Sequence, residues 1–190
     1  MNEMKNFILD KAKERAQRFG YKKTTMNEIS SDCRISKRRI YQNFADKKDM
    51  FRCLIIRESQ QTTQMLFSQI ENISDPTEKL IQLIRISVSY FNQENIISRV
   101  LKEDGVFSLL DFGRYREIID EEIISLIAEI IRDGKIKGAF REIDEKITAY
   151  AGYKLFQAFT IGRTGILQQQ DEEYSTEVLI DYILNGILKR

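Results

Sequence analysis

Along most of this chain apolar residues fall at spacings of three and four, and a single proline with nine glycines leaves few breakers. The pattern predicts long helices rather than short strands. Phe7, Ile8, Ala12, Ala16 and Phe19 mark an amphipathic first helix over residues 3–19, stopped by Gly20. Met26, Ile29 and Cys33 line one face of a second helix, and Ile40 and Phe44 the inner face of a third. Polar residues set the helix starts. Thr25 with Glu28 three residues on forms a capping box, in which the hydroxyl satisfies a first-turn amide while the carboxylate reaches back. Ser36 is an N-cap, and Asp46 with Asp49 opens a fourth helix reaching about Gln69. Asp75-Pro76-Thr77-Glu78 supplies cap, first-turn proline and acid for a fifth, with Leu80, Ile84, Val88 and Phe91 facing inward.

The second half is less evenly patterned. Residues 95–115 carry Gly105 and Gly113 around Phe107, Leu109, Leu110 and Phe112, and read as one short helix and a loop. Arg116 to Arg132 is periodic through Ile119, Ile123, Leu126, Ile127 and Ile130, with an expected end at Asp133-Gly134 and a loop holding Gly138 and Phe140. From Asp144 to Gln168, a narrow stripe of Ile147, Ala151, Leu155, Ala158, Gly162 and Gly165 lies opposite Ala149, Tyr153, Phe156, Thr160 and Leu167. A helix apolar nearly all round is buried on two sides. The last helix also exceeds one face, through Val178, Leu179, Ile180, Tyr182, Ile183, Leu184, Ile187 and Leu188. Ala151, Leu155, Ala158, Gly162, Gly165, Leu179, Ile183 and Ile187 are therefore candidates for a four-helix dimer interface made by two copies of the pair. The competing reading puts both helices inside a monomer.

Charge changes the picture of the first 55 residues. They hold 14 Lys and Arg against 7 Asp and Glu, whereas the remainder holds 16 against 22, so a net charge of +1 conceals a basic head on an acidic body. Lys37, Arg38, Arg39, Tyr41 and Gln42 point outward from the third helix. Three consecutive cations repel each other at a helix start, where the macrodipole also favours anions. A solvated charged face is the plain reading; a polyanion gives the arrangement a reason, and Arg and Gln can read guanine and adenine edges.

Other chemistry is sparse. The chain has no histidine, which removes the commonest general base and the usual metal motifs, and neither a P-loop nor GxGxxG occurs, so no catalysis, cofactor or metal is expected. Met1 to Asp10 is polar, and no stretch approaches a membrane span, so a cytoplasmic protein is expected. Cys33 and Cys53 lie in no CxxC and suit a reducing compartment as packing residues, with thiol sensing as the alternative.

Thr25, Glu28-Ile29, Ile35-Ser36-Lys37, Ile40-Tyr41, Phe44, Lys47 and Met50-Phe51 together resemble the N-terminal signature of the TetR family of transcriptional regulators, over residues 5 to about 54. The resemblance implies an all-α fold of about nine helices. A three-helix DNA-binding head with a helix-turn-helix, residues 1–52, would precede a helical ligand-sensing and dimerisation bundle, residues 53–190. By the same resemblance Thr25, Tyr41 and Lys47 would contact DNA phosphates, while Lys37, Arg38, Arg39 and Gln42 read bases. The fourth helix would carry ligand state to the heads. The sequence departs from the family at Arg34, which stands at the usual turn glycine, and at Asn43, which replaces a common aromatic. If the backbone is left-handed at Arg34, its side chain costs on the order of 1 kcal/mol.

Tyr90, Phe91, Phe107, Phe112, Tyr115, Tyr153 and Phe156 are candidates to line a cavity for a hydrophobic or amphipathic effector, or else are plain core. Arg85, Arg99 and Arg114 are possible partners for an anionic ligand group, or else surface residues. The expected function is a homodimeric, ligand-responsive repressor of a near-palindromic double-stranded DNA operator. The alternative is a non-catalytic helical interaction or thiol-sensing module whose basic head binds an acidic protein.

Overall fold

The computed structural model describes residues 3–93, 95, 96, 113–160 and 166–189, and the regular structure among them is helical. The order is α1 Glu3–Phe19, α2 Met26–Asp32, α3 Lys37–Tyr41, α4 Lys47–Ile70, α5 Pro76–Asn92, α6 Gly113–Ile136, α7 Glu145–Thr160, α8 Ile166–Gln169 and α9 Glu172–Ile187. Two compact units result. The chain up to Gln61 belongs to the first; Thr62–Gln93 and Ile118 onward belong to the second, so the division falls within α4.

In the first unit the helices begin where the polar residues put them. Thr25 and Glu28 form the reciprocal capping box of α2, with Thr25 N donating to Glu28 Oε2 at 2.9 Å and Glu28 N donating to Thr25 Oγ1 at 3.3 Å. Ser36 Oγ accepts from Arg39 N at 3.3 Å, and Asp46 Oδ1 accepts from Asp49 N at 2.7 Å. The buried seam of α1 is Ile8, Leu9, Ala12 and Ala16. Phe7 and Phe19, expected on that seam, are two-fifths exposed. The seam instead takes Leu9. Phe19 is covered by the guanidinium groups of Arg15 and Arg18, at 5.1 and 4.9 Å from its ring centre.

Ile29, Ile40, Phe44, Met50, Phe51 and Leu54 are fully buried in this unit. Charged ties fix its helices. Arg15 bridges from α1 to Glu28 at 2.6 Å and Asp32 at 2.8 Å on α2. Arg57 on α4 meets Asp10 at 2.8 Å and Glu58 at 2.9 Å and donates to the Asn6 carbonyl at 3.2 Å, while Lys13 meets Glu58 at 2.6 Å. Arg57 and Glu58 are buried, where an unpaired charge is strongly destabilising, so this set holds α1 against α4 only as a complete set.

The core of the second unit draws Leu80, Leu83, Ile84 and Val88 from α5, Ala128, Ile130 and Ile131 from α6, Ala149 from α7, and Leu179, Ile180 and Ile187 from α9. Helix α6 does not stop at Gly134 but runs to Ile136. The turn residue is Gly138, with φ +73°, a left-handed value that favours glycine. Gly134 serves packing instead: a Cβ there would lie 2.1 Å from the buried Phe140 ring. The loop carrying Phe140 pairs with the tail after α9, Arg141 N donating to Ile187 O at 2.9 Å and Lys189 N to Ala139 O at 3.1 Å.

Candidate nucleic-acid interface

Helix α3 is a single short turn and a half, held from beneath by Ile40 and Phe44, which are buried. Its outward residues, Lys37, Arg38, Arg39, Tyr41 and Gln42, are all exposed. Arg39 donates weakly to Gln42 Oε1 at 3.5 Å, and Asn43 Nδ2 donates to Arg39 O at 2.8 Å, closing the end of the helix. Among the described residues no carboxylate pairs with Lys37, Arg38 or Arg39. That contrasts with Lys11, Lys13, Arg15 and Arg57, each of which meets an acid within 2.9 Å. The cations of this unit thus divide into a set paired with acids and a set aimed at solvent.

The turn before α3 carries the departure at position 34. Arg34 has φ +55°, the left-handed region, and its amide donates to Ser31 O at 3.0 Å while Ile35 N donates to Ser30 O at 3.1 Å. The chain holds a helix-turn-helix bend with a side chain where glycine is cheaper, and gains an exposed cation beside α3.

Thr25 is exposed, but its hydroxyl donates to Glu28 Oε2 at 2.8 Å. That bond from Thr25, and then the Arg15 guanidinium, hold the Glu28 carboxyl below the usual carboxylate range. Lys47 is half-buried; its ammonium donates to the Tyr21 carbonyl at 2.6 Å and stands 4.0 Å over the Tyr21 ring. Cys33 is buried on the α2 face. Burial pushes its thiol up to about 11, so it stays protonated and unreactive at neutral pH.

Residues 8–54 match the family profile described as bacterial regulatory proteins, tetR family. Over 185 residues, and 97% of each chain, the protein is 22% identical to an uncharacterized HTH-type transcriptional regulator, YhgD, of Bacillus subtilis strain 168. Its head is that of a tetR-family regulator. Solved structures agree on the fold across the chain's whole length. A TetR-family transcriptional regulator from Pectobacterium atrosepticum superposes with a TM-score of 0.81 at 17% identity, covering 99% of this chain and 95% of that one. The fatty acid degradation regulator FadR from Bacillus halodurans gives 0.75 at 18% identity, covering 98% and 97%. The match in the head and the likeness to a transcriptional regulator along the full length support a DNA-binding regulator. Among the described residues, no helix is long and apolar enough to cross a membrane.

In the second unit, the structure brings part of the expected aromatic set together. Tyr90 and Phe91 meet edge to face at 5.5 Å, Phe91 and Phe156 at 5.9 Å, and the Tyr90 hydroxyl bonds Thr62 Oγ1 at 2.9 Å. Tyr153 is committed elsewhere, donating to Asp120 Oδ1 at 3.0 Å. Asp120 is buried and also takes the Lys154 ammonium, with Gln157 Nε2 at 3.4 Å. This polar group escaped the sequence reading, because Asp120, Lys154 and Gln157 sit at positions that a helical pattern assigns to a surface. Phe107, Phe112, Gly162, Gly165 and Arg99 lie outside the described residues, as do the side chains of Tyr115 and Arg114. Arg85 is an exposed residue paired with Glu177 at 2.7 Å.

The expected dimer residues separate into two groups. Ala151 and Ala158 are exposed on α7 and Leu155 is half-buried. On α9, Leu179 and Ile187 are buried in the protomer's own core, so they brace the open face and have no surface left to form it; Ile183 is half-buried. The large apolar residues exposed beside them are Ile147 and Tyr150 on α7, and Tyr174, Val178 and Tyr182 on α9.

Proposed function

We propose that the protein is a homodimeric repressor in the cytoplasm that grips a near-palindromic operator with two heads and lets go when a hydrophobic or amphipathic effector binds the second unit. The observation that carries the DNA half is the row Lys37, Arg38, Arg39, exposed on a capped helix and without an acid partner among the described residues. Within it, Lys37, Arg38, Arg39 and Gln42 read bases in the major groove while Thr25 and Tyr41 meet the backbone. Two heads then occupy successive major grooves about 34–36 Å apart or a multiple of that.

The exposed apolar faces of α7 and α9 favour a four-helix interface between two copies, which brings the heads into one complex. The Tyr90, Phe91 and Phe156 cluster, with the Thr62 hydroxyl at its edge, favours an effector with an apolar body and few polar groups. A neighbour in fold that is named a regulator of fatty acid degradation supports the same class. Release follows if the effector binds better to a dimer whose heads are mis-spaced.

The test is binding to the DNA flanking its own gene, against scrambled DNA of equal length, across a salt series. Tight, salt-sensitive and selective binding by a dimer is expected, and medium-chain or long-chain fatty acids should lower it. Equal, weak binding to both DNAs sinks the operator reading.

A further inference from the structure

Two cations of the first unit lie outside the recognition helix and have no role in the fold. Lys22 and Lys23 occupy the turn between α1 and α2; both are exposed, and neither pairs with a carboxylate among the described residues. The turn itself is pinned at both ends. The Tyr21 ring is buried edge-on against Phe51 at 4.8 Å, and the Thr24 side chain is fully buried, its hydroxyl donating to Gly20 O at 2.8 Å. The Tyr21 carbonyl accepts twice, from Thr24 N at 3.1 Å and from the Lys47 ammonium at 2.6 Å. Gly20, at φ +81°, starts the bend. Only Lys22 and Lys23 point away, and Lys23 is two residues from Thr25, so their Cα atoms are at most about 7 Å apart.

We propose that Lys22 and Lys23 form a further phosphate clamp on the edge of the head next to Thr25, and that Lys47 positions this clamp rather than gripping DNA itself. Two adjacent like charges on a rigid, solvent-facing turn destabilise an isolated domain slightly, and a polyanion turns that repulsion into attraction. A turn fixed before binding loses little entropy when a phosphate arrives. Lys47 has the opposite character. Its ammonium is already engaged by the Tyr21 carbonyl and ring, so a phosphate must compete with contacts that hold the turn in place.

The inference rests on the head binding DNA, and the experiment separates the two. Fluorescence anisotropy with a labelled duplex from DNA flanking the gene, and with its scramble, is read across a salt series for wild type, Lys22→Gln with Lys23→Gln, and Lys47→Gln. The double variant should weaken both complexes by the same factor, leave the ratio between duplexes unchanged, and lower the slope of log affinity against log salt by about 3–4. That figure follows from two lysines in each of two heads at roughly 0.9 per phosphate. Lys47→Gln should keep the wild-type slope while lowering the melting temperature. A wild-type slope in the double variant overturns the clamp. A slope lowered by about 2 in Lys47→Gln at unchanged melting temperature overturns the positioning role. Wild type binding neither duplex overturns the DNA reading itself and the clamp with it.

Discussion

The two units leave opposite things uncovered. In the first, the large apolar side chains are mostly buried, and what remains outside is charge: Lys22, Lys23, Arg34, Lys37, Arg38 and Arg39. In the second, several cations are tied down, Lys135 to Glu145 at 2.7 Å, Lys137 to Asp133 at 2.8 Å and Lys154 to Asp120, while Ile147 at 69%, Tyr150 at 52% and Tyr182 at 70% stand exposed. Charge in excess of what folding uses suits a polyanion, whose contacts are long-ranged and weakened by salt. Apolar area in excess of what folding uses suits another apolar surface, because burial is then the driving force. One chain keeps the two kinds of recognition apart by weighting each unit towards one kind of surplus.

Charge placed where the second unit shows apolar area should have the largest effect. Ile147→Asp with Tyr182→Asp should weaken dimerisation by about 3–4 kcal/mol, roughly 140-fold to 700-fold, seen by sedimentation at varied concentration. An unaltered dimer would remove these faces from the interface. Folding of the same unit should be hit by Gly134→Ala, because the new methyl group meets the Phe140 ring; a loss of about 2–3 kcal/mol is expected in urea unfolding.

For the first unit, Arg38→Ala and Gln42→Ala should each cost about 1–2 kcal/mol of discrimination between operator and scrambled DNA, whereas Tyr41→Ala should weaken both complexes alike. Equal effects from all three would erase the division between reading and gripping. Arg34→Gly should stabilise the isolated protein by up to about 1 kcal/mol, by removing a side chain from a left-handed position. Its gain in stability should come with weaker DNA binding if the exposed cation matters.

The smallest effect is one of pH. Cys33 has its thiol raised to about 11 in the folded state by burial, from an ordinary 9.0. The unfolded chain therefore releases this proton first, so the contribution to stability is complete below about pH 9 and is lost as pH rises through 11. Cys33→Ala should flatten that part of the stability curve while lowering the whole of it through lost packing. Glu28 works at the other end. Its carboxyl is depressed by Thr25 and Arg15, so its support of the α2 start is present above its unfolded range and is lost as pH falls through its folded value.

Local chemistry determined what was legible beforehand. A capping box needs two residues three apart, and Thr25 with Glu28 names its helix start without help from the rest of the chain. The same holds for Ser36 before α3, and for Asp75 with Pro76 before α5. The exposed faces of α3 followed from a period of 3.6 and a dense family motif. Partnership was not legible, because it joins residues far apart in sequence. Nothing in the spacing of Lys47 shows that a carbonyl 26 residues earlier holds it, nor that Asp120 gathers Tyr153, Lys154 and Gln157 from 33 to 37 residues away. Gly134 looked like a helix stop and is a seat for a ring, and Leu179 looked like an interface residue and is core, because an apolar residue on a helix does not say which of two faces its own protomer will cover. Periodicity fixes which side chains share a face; only the packed chain decides which face is spent on folding and which is left to bind.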